Sequence, residues 1–462
     1  MKTPVVTPLD RHVDLLALNT AFPDRYPFLL ESVSRHARHG RYDILFVALP
    51  ERLQLSHNGD VSGFTASKDD RDFLQTLDRW WQRERVVSPQ AASLPFTGGW
   101  FLYLGYELAA QIEPTLALPA QTGSMLPVAM AVRCPAAVIR DHQQGISWIV
   151  CEREHAVLQQ RLMKDLDVVN SMESRSGEVG ISVLQEDHPS VYLDGVERIK
   201  RYILDGDVFQ VNLSRAWRGN LETSSHYDHL YRQLRTHNPA PFAGICRFPH
   251  AAILSSSPER LVCVDRQRRV ETRPIAGTHP RGISAPQDRQ LSQQLLAHPK
   301  EKAEHIMLID LERNDLGRIC RPGTIHVDEL LGLETYAHVH HIVSNISGEL
   351  SPATTPGQVI RSVFPGGTIT GCPKVRCMEI ISELEQCTRG AYTGSMGYLN
   401  QDGSLDLNIL IRTITVEGRH LTFRAGAGIV ADSSALRELE ETRSKALGMA
   451  QAIRSLQVQQ AC

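Results

Sequence analysis

The sequence predicts a soluble globular protein in which β-strands and α-helices alternate along the whole chain. Three observations predict it. The 462 residues are 42% hydrophobic with a formal charge of −3. That is enough apolar material for a large core, and too small a charge imbalance for a nucleic-acid or membrane-surface binder. Short apolar runs, many of them alternating, recur between residues 27 and 429, as strands do. Between them lie segments with helical spacing, among them 300–315 and 438–453. No apolar run is long enough to span a bilayer, and Met1 to Pro8 lacks the apolar stretch of a signal peptide. Nine cysteines without a CxxC pair fit reduced thiols in a cytoplasmic protein.

Residues 1–185 form an N-terminal region. Pro27 to Ser32 and Tyr42 to Ala48 read as strands, and Pro95 to Tyr106 as a glycine turn feeding an aromatic strand. Residues 128–151 hold two further apolar segments, and Arg153 to Met172 reads as a helix. Residues 171–180 (SMESRSGEVG) are polar and aperiodic, and are the linker candidate. No constellation of reactive side chains occurs before this point.

Residues 188–458 carry the chemistry. After a helix over 191–205, Val208 to Ser214 alternates as a strand with Gln210, Asn212 and Ser214 on one face. Ala251 to Ser256 is a strand running into Pro258-Glu259. A carboxyl there reads either as a buried acid raised by desolvation or as a solvated turn residue. Thr272 to Thr278 (TRPIAGT) reads as a loop holding Gly277 and a hydroxyl. The helix over 300–315 carries Glu301 and Glu304 at i, i+3, with His305 adjacent and read as structural. Val339 to Ser344 is a strand with His340 and His341 on opposite sides.

Phe364 to Lys374 is a Gly/Thr loop containing Thr368. It opens a helix, a setting suited to anions, yet it lacks the GxxxxGK[ST] of a nucleotide loop. Cys372 and Cys377 beside it read as packing residues. Tyr392 and Arg412 read as strand residues, and an arginine in an apolar run needs a carboxylate partner from protein or ligand. Arg424 to Ser433 reads as a strand, a glycine turn at Gly426 and Gly428, and a helix capped by Asp432 or Ser433. On that helix Glu438, Glu441 and Lys445 share a stripe. The stripe reads either as an exposed helix with an i, i+4 pair or, with Glu301 and Glu304, as a four-carboxylate cage. Oxygen-only donors of this kind suit Mg²⁺.

Taken in order, the motifs SPERL, RPIAGT, EHIMLIDLERNDLGR, HHIVS, FPGGTITGCPKVR, IRT and GAGIVADS resemble those of the chorismate-utilising enzymes. That family includes anthranilate synthase component I, aminodeoxychorismate synthase component I, and the isochorismate and salicylate synthases. The resemblance implies an α+β fold of two large, mostly antiparallel β-sheets packed as a sandwich with helices outside, so that residues 1–185 and 188–458 both contribute strands. It implies Mg²⁺ held by Glu304 and Glu441, with Glu301 and Glu438 beside them. Glu259 is implied as the general acid at the departing C4 hydroxyl, and His341 as an aid to proton movement. Thr278 and Thr368 would contact substrate oxygens. Tyr392, Arg412, Lys445 and the backbone at Gly426 and Gly428 would hold the enolpyruvyl carboxylate.

Gln210 stands where the isochorismate and salicylate synthases carry a lysine that activates water, so amination is the implied reaction. Segments such as QVNLS, PGGTITG and YTGSMGY resemble aminodeoxychorismate synthase, whereas Ala276 matches the anthranilate synthase pattern PIAGT rather than PIKGT. Aminodeoxychorismate is the expected product and anthranilate the alternative. Leu29 to Ser32 resembles the segment that binds inhibitory tryptophan. No cysteine lies in a GxCxGxQ glutaminase motif, so the resemblance implies ammonia from a separate glutamine amidotransferase subunit.

Overall fold

The computed structural model describes residues 4–10, 13–34, 40–67, 70–86, 94–119, 123–172, 180–222, 227–282, 284–335 and 339–458, without side chains at 276, 278–280, 300, 339 and 457–458. Among these residues the strands assemble into two large sheets, one of twelve strands and one of eleven, in which neighbouring strands run antiparallel. The chain is therefore an α+β sandwich. Most of the predicted strands and helices lie where the periodicity placed them: Phe28–Glu31, Tyr42–Val47, Gly99–Leu104, Ala251–Ser257, Pro299–Gly317 and Val339–Glu349.

Strands of the N-terminal region alternate with later ones in both sheets. Phe28–Glu31 pairs with Phe242–Phe248, and Gly99–Leu104 pairs with Ser395–Asn400. Most of the linker candidate, residues 173–179, lies outside the described residues.

Between the sheets lies an apolar layer in which Phe28 and Phe46 of one sheet meet Phe101 and Tyr103 of the other. The rings of Phe28 and Phe101 stack with centroids 4.1 Å apart. Each outer face is covered by helices. The helices Tyr227–His237 and Ala435–Val458 cover one sheet through Leu230, Leu234, Ala446 and Ile453, and Phe73–Glu84 and Pro356–Val363 cover the other through Leu77, Trp80, Val359 and Ile360. The helix Pro356–Val363 starts on a capping box between Thr355 and Gln358, which satisfies two otherwise unpaired N–H groups.

Local conformation departs from the periodicity at several points. Residues 275–280 form a strand rather than a loop, with a bulge between Ala276 and Thr278 where Gly277 takes φ +72°. Gly426 and Gly428 lie within the strand His420–Ile429, and the turn follows them. The helix starts at Ala435, so neither Asp432 nor Ser433 caps it; the Ser433 hydroxyl accepts from the Val430 N–H at 3.1 Å. Tyr392 lies in a turn before the strand Ser395–Asn400. Arg412 lies in a bend before Thr413–Glu417 with φ +51°. Apolar neighbours make both residues read as strand, but each sits where the chain must change direction.

Candidate active site between the sheets

Two of the links that carry the chain from one sheet to the other lie side by side. Pro258-Glu259 joins Ala251–Ser257 of the larger sheet to Arg260–Val264 of the smaller, and residues 409–412 make the return from Leu405–Asn408 to Thr413–Glu417. The links are stitched together, Ile409 N–H to Glu259 O at 3.0 Å and Ser256 N–H to Arg412 O at 3.1 Å. This is why an acid and an arginine more than a hundred residues apart enter one cavity.

That cavity, of about 130 Å³, is lined by Glu259, His341, Thr368, Tyr392, Arg412, Gly426 and Lys445. It shares Thr368, Arg412 and Lys445 with a larger one of about 600 Å³, whose walls include Gln210, Gly277, Gly428 and the acids Glu301, Glu304, Glu438 and Glu441. The predicted site residues thus converge on adjoining cavities. The side chain of Thr278 lies outside the described residues; its backbone pairs with His341.

Burial sets the charge states. Glu259 is 5% exposed. Desolvation raises its carboxyl to about 7, against the opposing pull of the Thr368 hydroxyl, the Ile275 N–H, Lys445 and Arg412. Near neutral pH it can therefore hold a proton and give it up. His341, 2% exposed, is pushed down to about 3 by burial and by Arg412, against the opposing pull of the Gly277 backbone. It is a neutral imidazole near neutral pH. His340 faces the other way, its Nε2 2.9 Å from Asp288 and its Nδ1 2.9 Å from the Thr335 hydroxyl. His305 is buried and bonds Ser344 at 2.7 Å, a structural contact.

Arg412 is held below the usual arginine range by burial, and it makes no ion pair among the described residues. Lys445 donates to the Gly426 carbonyl at 3.0 Å and pairs with Glu441 at 2.7 Å. The i, i+4 pair of an ordinary helix and a place on the cavity wall are thus both true of Glu441.

The four glutamates are oxygen donors facing one space, the right chemistry for a hard cation. Among the described residues, however, no three acids, histidines or cysteines stand close enough together to hold a metal ion. One oxygen of the Glu441 carboxylate is already paired with Lys445. Gly277 makes room for one of these acids: a Cβ there would lie 2.8 Å from the Glu301 carboxylate.

Beneath the cavity lies a network that sequence reasoning missed. Glu385, buried on the helix Lys374–Glu385, pairs with Arg389 at 2.7 Å and Arg424 at 2.9 Å. Burial raises its carboxyl, but the two guanidinium groups outweigh that and hold it below the usual range. Arg389 also donates to the backbone oxygens of Asn212 and Ile369. The network braces strand and turn against each other. Arg424 lines the smaller cavity itself. Its alternation with Gly426 and Gly428 on one strand face was the signal available for it.

Residues 34–451 match the family model for chorismate binding enzymes. The chain is 43% identical to an anthranilate synthase component I-like protein of Synechocystis, over 79% of this chain and 74% of that one. It is 41% identical to aminodeoxychorismate synthase component 1 of Bacillus subtilis, over 93% and 92%. Among solved structures, anthranilate synthase component I from Streptococcus pneumoniae superposes with a TM-score of 0.78 at 31% identity, covering 89% of this chain and 92% of that one.

Proposed function

We propose that this chain, which belongs to the family of chorismate binding enzymes, aminates chorismate at C4 to give 4-amino-4-deoxychorismate, with ammonia supplied by a separate glutamine amidotransferase subunit. The observation that carries this reading is a desolvated acid facing the same cavity as a half-buried arginine that has no ion-pair partner among the described residues. A half-buried guanidinium lining a cavity calls for an anionic ligand, and a carboxylate fits its fork.

Arg412, Lys445 and Tyr392 hold the enolpyruvyl carboxylate at one end. Glu304 and Glu441, with Glu301 and Glu438, would hold Mg²⁺ at the other; a bound Mg²⁺ supplies charge neutralisation for the ring carboxylate. Glu259 protonates the departing C4 oxygen, which leaves as water while the C–N bond forms, and the nitrogen sheds one proton. Thr368 lines the cavity beside Glu259, and the neutral His341 lies against the ring. Gln210 has no basicity with which to activate water. Residue 276 is alanine, so no side-chain amine there adds to the ring, and ammonia is the nucleophile.

A second reading has one specific residue in its favour. Ala276 fits anthranilate synthase, which releases pyruvate and forms anthranilate. The test is product analysis. Purified chain, chorismate, Mg²⁺ and ammonia, followed by an aminodeoxychorismate lyase, should yield p-aminobenzoate. Fluorescent anthranilate formed without the lyase would select the second reading. The cavity of about 290 Å³ lined by Glu31, Ser32, Tyr42, Pro241 and Met396 is proposed as a tryptophan-type regulatory pocket. Added tryptophan that leaves the rate unchanged would rule that out.

A further inference from the structure

The strand Gln210–Asn220 presents Gln210, Asn212 and Ser214 toward the site on one face, and the neighbouring strand presents Gly428, Gly426 and Arg424 beside them. The three side chains of the first strand are not equivalent. The Ser214 hydroxyl donates to Glu385 at 2.7 Å and accepts from Arg424 at 3.0 Å. Asn212 and Gln210 are 7% and 6% exposed, yet Asn212 Oδ1 and Gln210 Oε1 accept no hydrogen bond among the described residues. Leaving a buried carbonyl oxygen unpaired is costly, and two of them stand two residues apart on one strand face.

The glycines opposite are what admit them. A Cβ at Gly426 would lie 2.9 Å from Asn212 Oδ1, and one at Gly428 would lie 2.2 Å from Gln210 Nε2. Asn212 lines both cavities of the site, and Gln210 the larger.

We propose that Asn212 Oδ1, with Gln210 Oε1 beside it, is the acceptor pair that seats the incoming ammonia. The inference rests on the amination reading above and adds to it the residues that bind the nucleophile. A carbonyl oxygen accepts and does not donate, so it repels carboxylate oxygens and calls for an N–H or O–H donor. Among the reactants only ammonia and the C4 hydroxyl carry one, and Glu259 serves the hydroxyl. Ammonia has three N–H donors and one lone pair. Holding it by its N–H groups leaves the lone pair free to face the ring. Amide oxygens do this without adding charge beside a dicarboxylate.

The test is steady-state kinetics with ammonia as nitrogen donor, on Asn212→Val and Asn212→Thr. The two replacements share a shape, suit a strand, and differ in one hydroxyl. In Asn212→Val the KM for ammonia should rise about tenfold, the loss expected for one buried hydrogen bond, while the KM for chorismate stays within about twofold; Asn212→Thr should recover most of the loss. Chorismate binding measured by calorimetry on each variant establishes that it is folded. An unchanged ammonia KM in folded Asn212→Val overturns the proposal. So does a chorismate KM that rises in step, which would assign Asn212 to the ring hydroxyl. A wild-type chain that consumes no chorismate with ammonia sinks the amination reading itself, an outcome distinct from both.

Discussion

Replacing Glu259 by glutamine separates the two consequences of its burial. The carboxyl is raised from 4.5 to about 7 chiefly because burial penalises its charge. At about 1.4 kcal/mol per pH unit that rise corresponds to roughly 3 kcal/mol. The sign follows from where the proton sits. Between the two values the folded state keeps a proton that the unfolded chain has lost, so stability falls as pH rises through this window and is lower by that amount above it. Glutamine has no proton to lose. Relative to wild type, Glu259→Gln should therefore gain roughly 3 kcal/mol between about pH 4.5 and about pH 8, read by urea denaturation at several pH values. Turnover should fall by roughly 10²- to 10⁴-fold, the usual contribution of a general acid, while chorismate still binds. In the wild type, kcat should decline above about pH 7 as the acid loses its proton. Undiminished turnover would refute the role as proton donor. A stability difference that stays flat with pH would refute the desolvation behind it.

Other perturbations reach different parts of the same site. Glu441→Gln should impair Mg²⁺-dependent chorismate binding in titration calorimetry, and a variant with the wild-type dependence on Mg²⁺ would remove Glu441 from the carboxylate set. Gly426→Ala would place a Cβ 2.7 Å from the Leu213 carbonyl and 2.9 Å from the Tyr392 hydroxyl; it should cost about 1–3 kcal/mol by overpacking and raise the KM for chorismate, both measurable on the purified variant. Glu385→Gln should destabilise by roughly 3–5 kcal/mol, because Arg389 and Arg424 are left buried with their shared charge removed; a melting temperature close to wild type would show that the network is dispensable.

Much of the site is legible in the residues alone, for a physical reason. Polar residues inside apolar runs are expensive unless paired, so Glu259 after its strand, His341 and Arg412 stand out against their neighbours. Acids repeated at i, i+3 mark one helix face whatever that helix packs against, and Glu301, Glu304, Glu438 and Glu441 do line one cavity. Local conformation at special points is harder to read. Tyr392 and Arg412 look like strand residues because turns and bends between apolar residues leave no periodic trace. The cap expected at 432–433 is misplaced because the strand runs through both glycines to Ile429, leaving a turn before Ala435.

The sequence by itself determined which residue types stand out: an acid at the end of an apolar strand, an arginine and a lysine, paired carboxylates, and a glutamine inside an apolar run. Only the tertiary structure decided that they meet. Strands separated by hundreds of residues pair in one sheet, as Ala243 does with Glu31 and Ser395 with Leu104, and local periodicity carries no information about such pairing. The links at 258–259 and 409–412 bring Glu259 to Arg412, and the Glu385 pair with Arg389 and Arg424 holds the floor beneath them. Those contacts depend on register and burial, which exist only once the sandwich has closed.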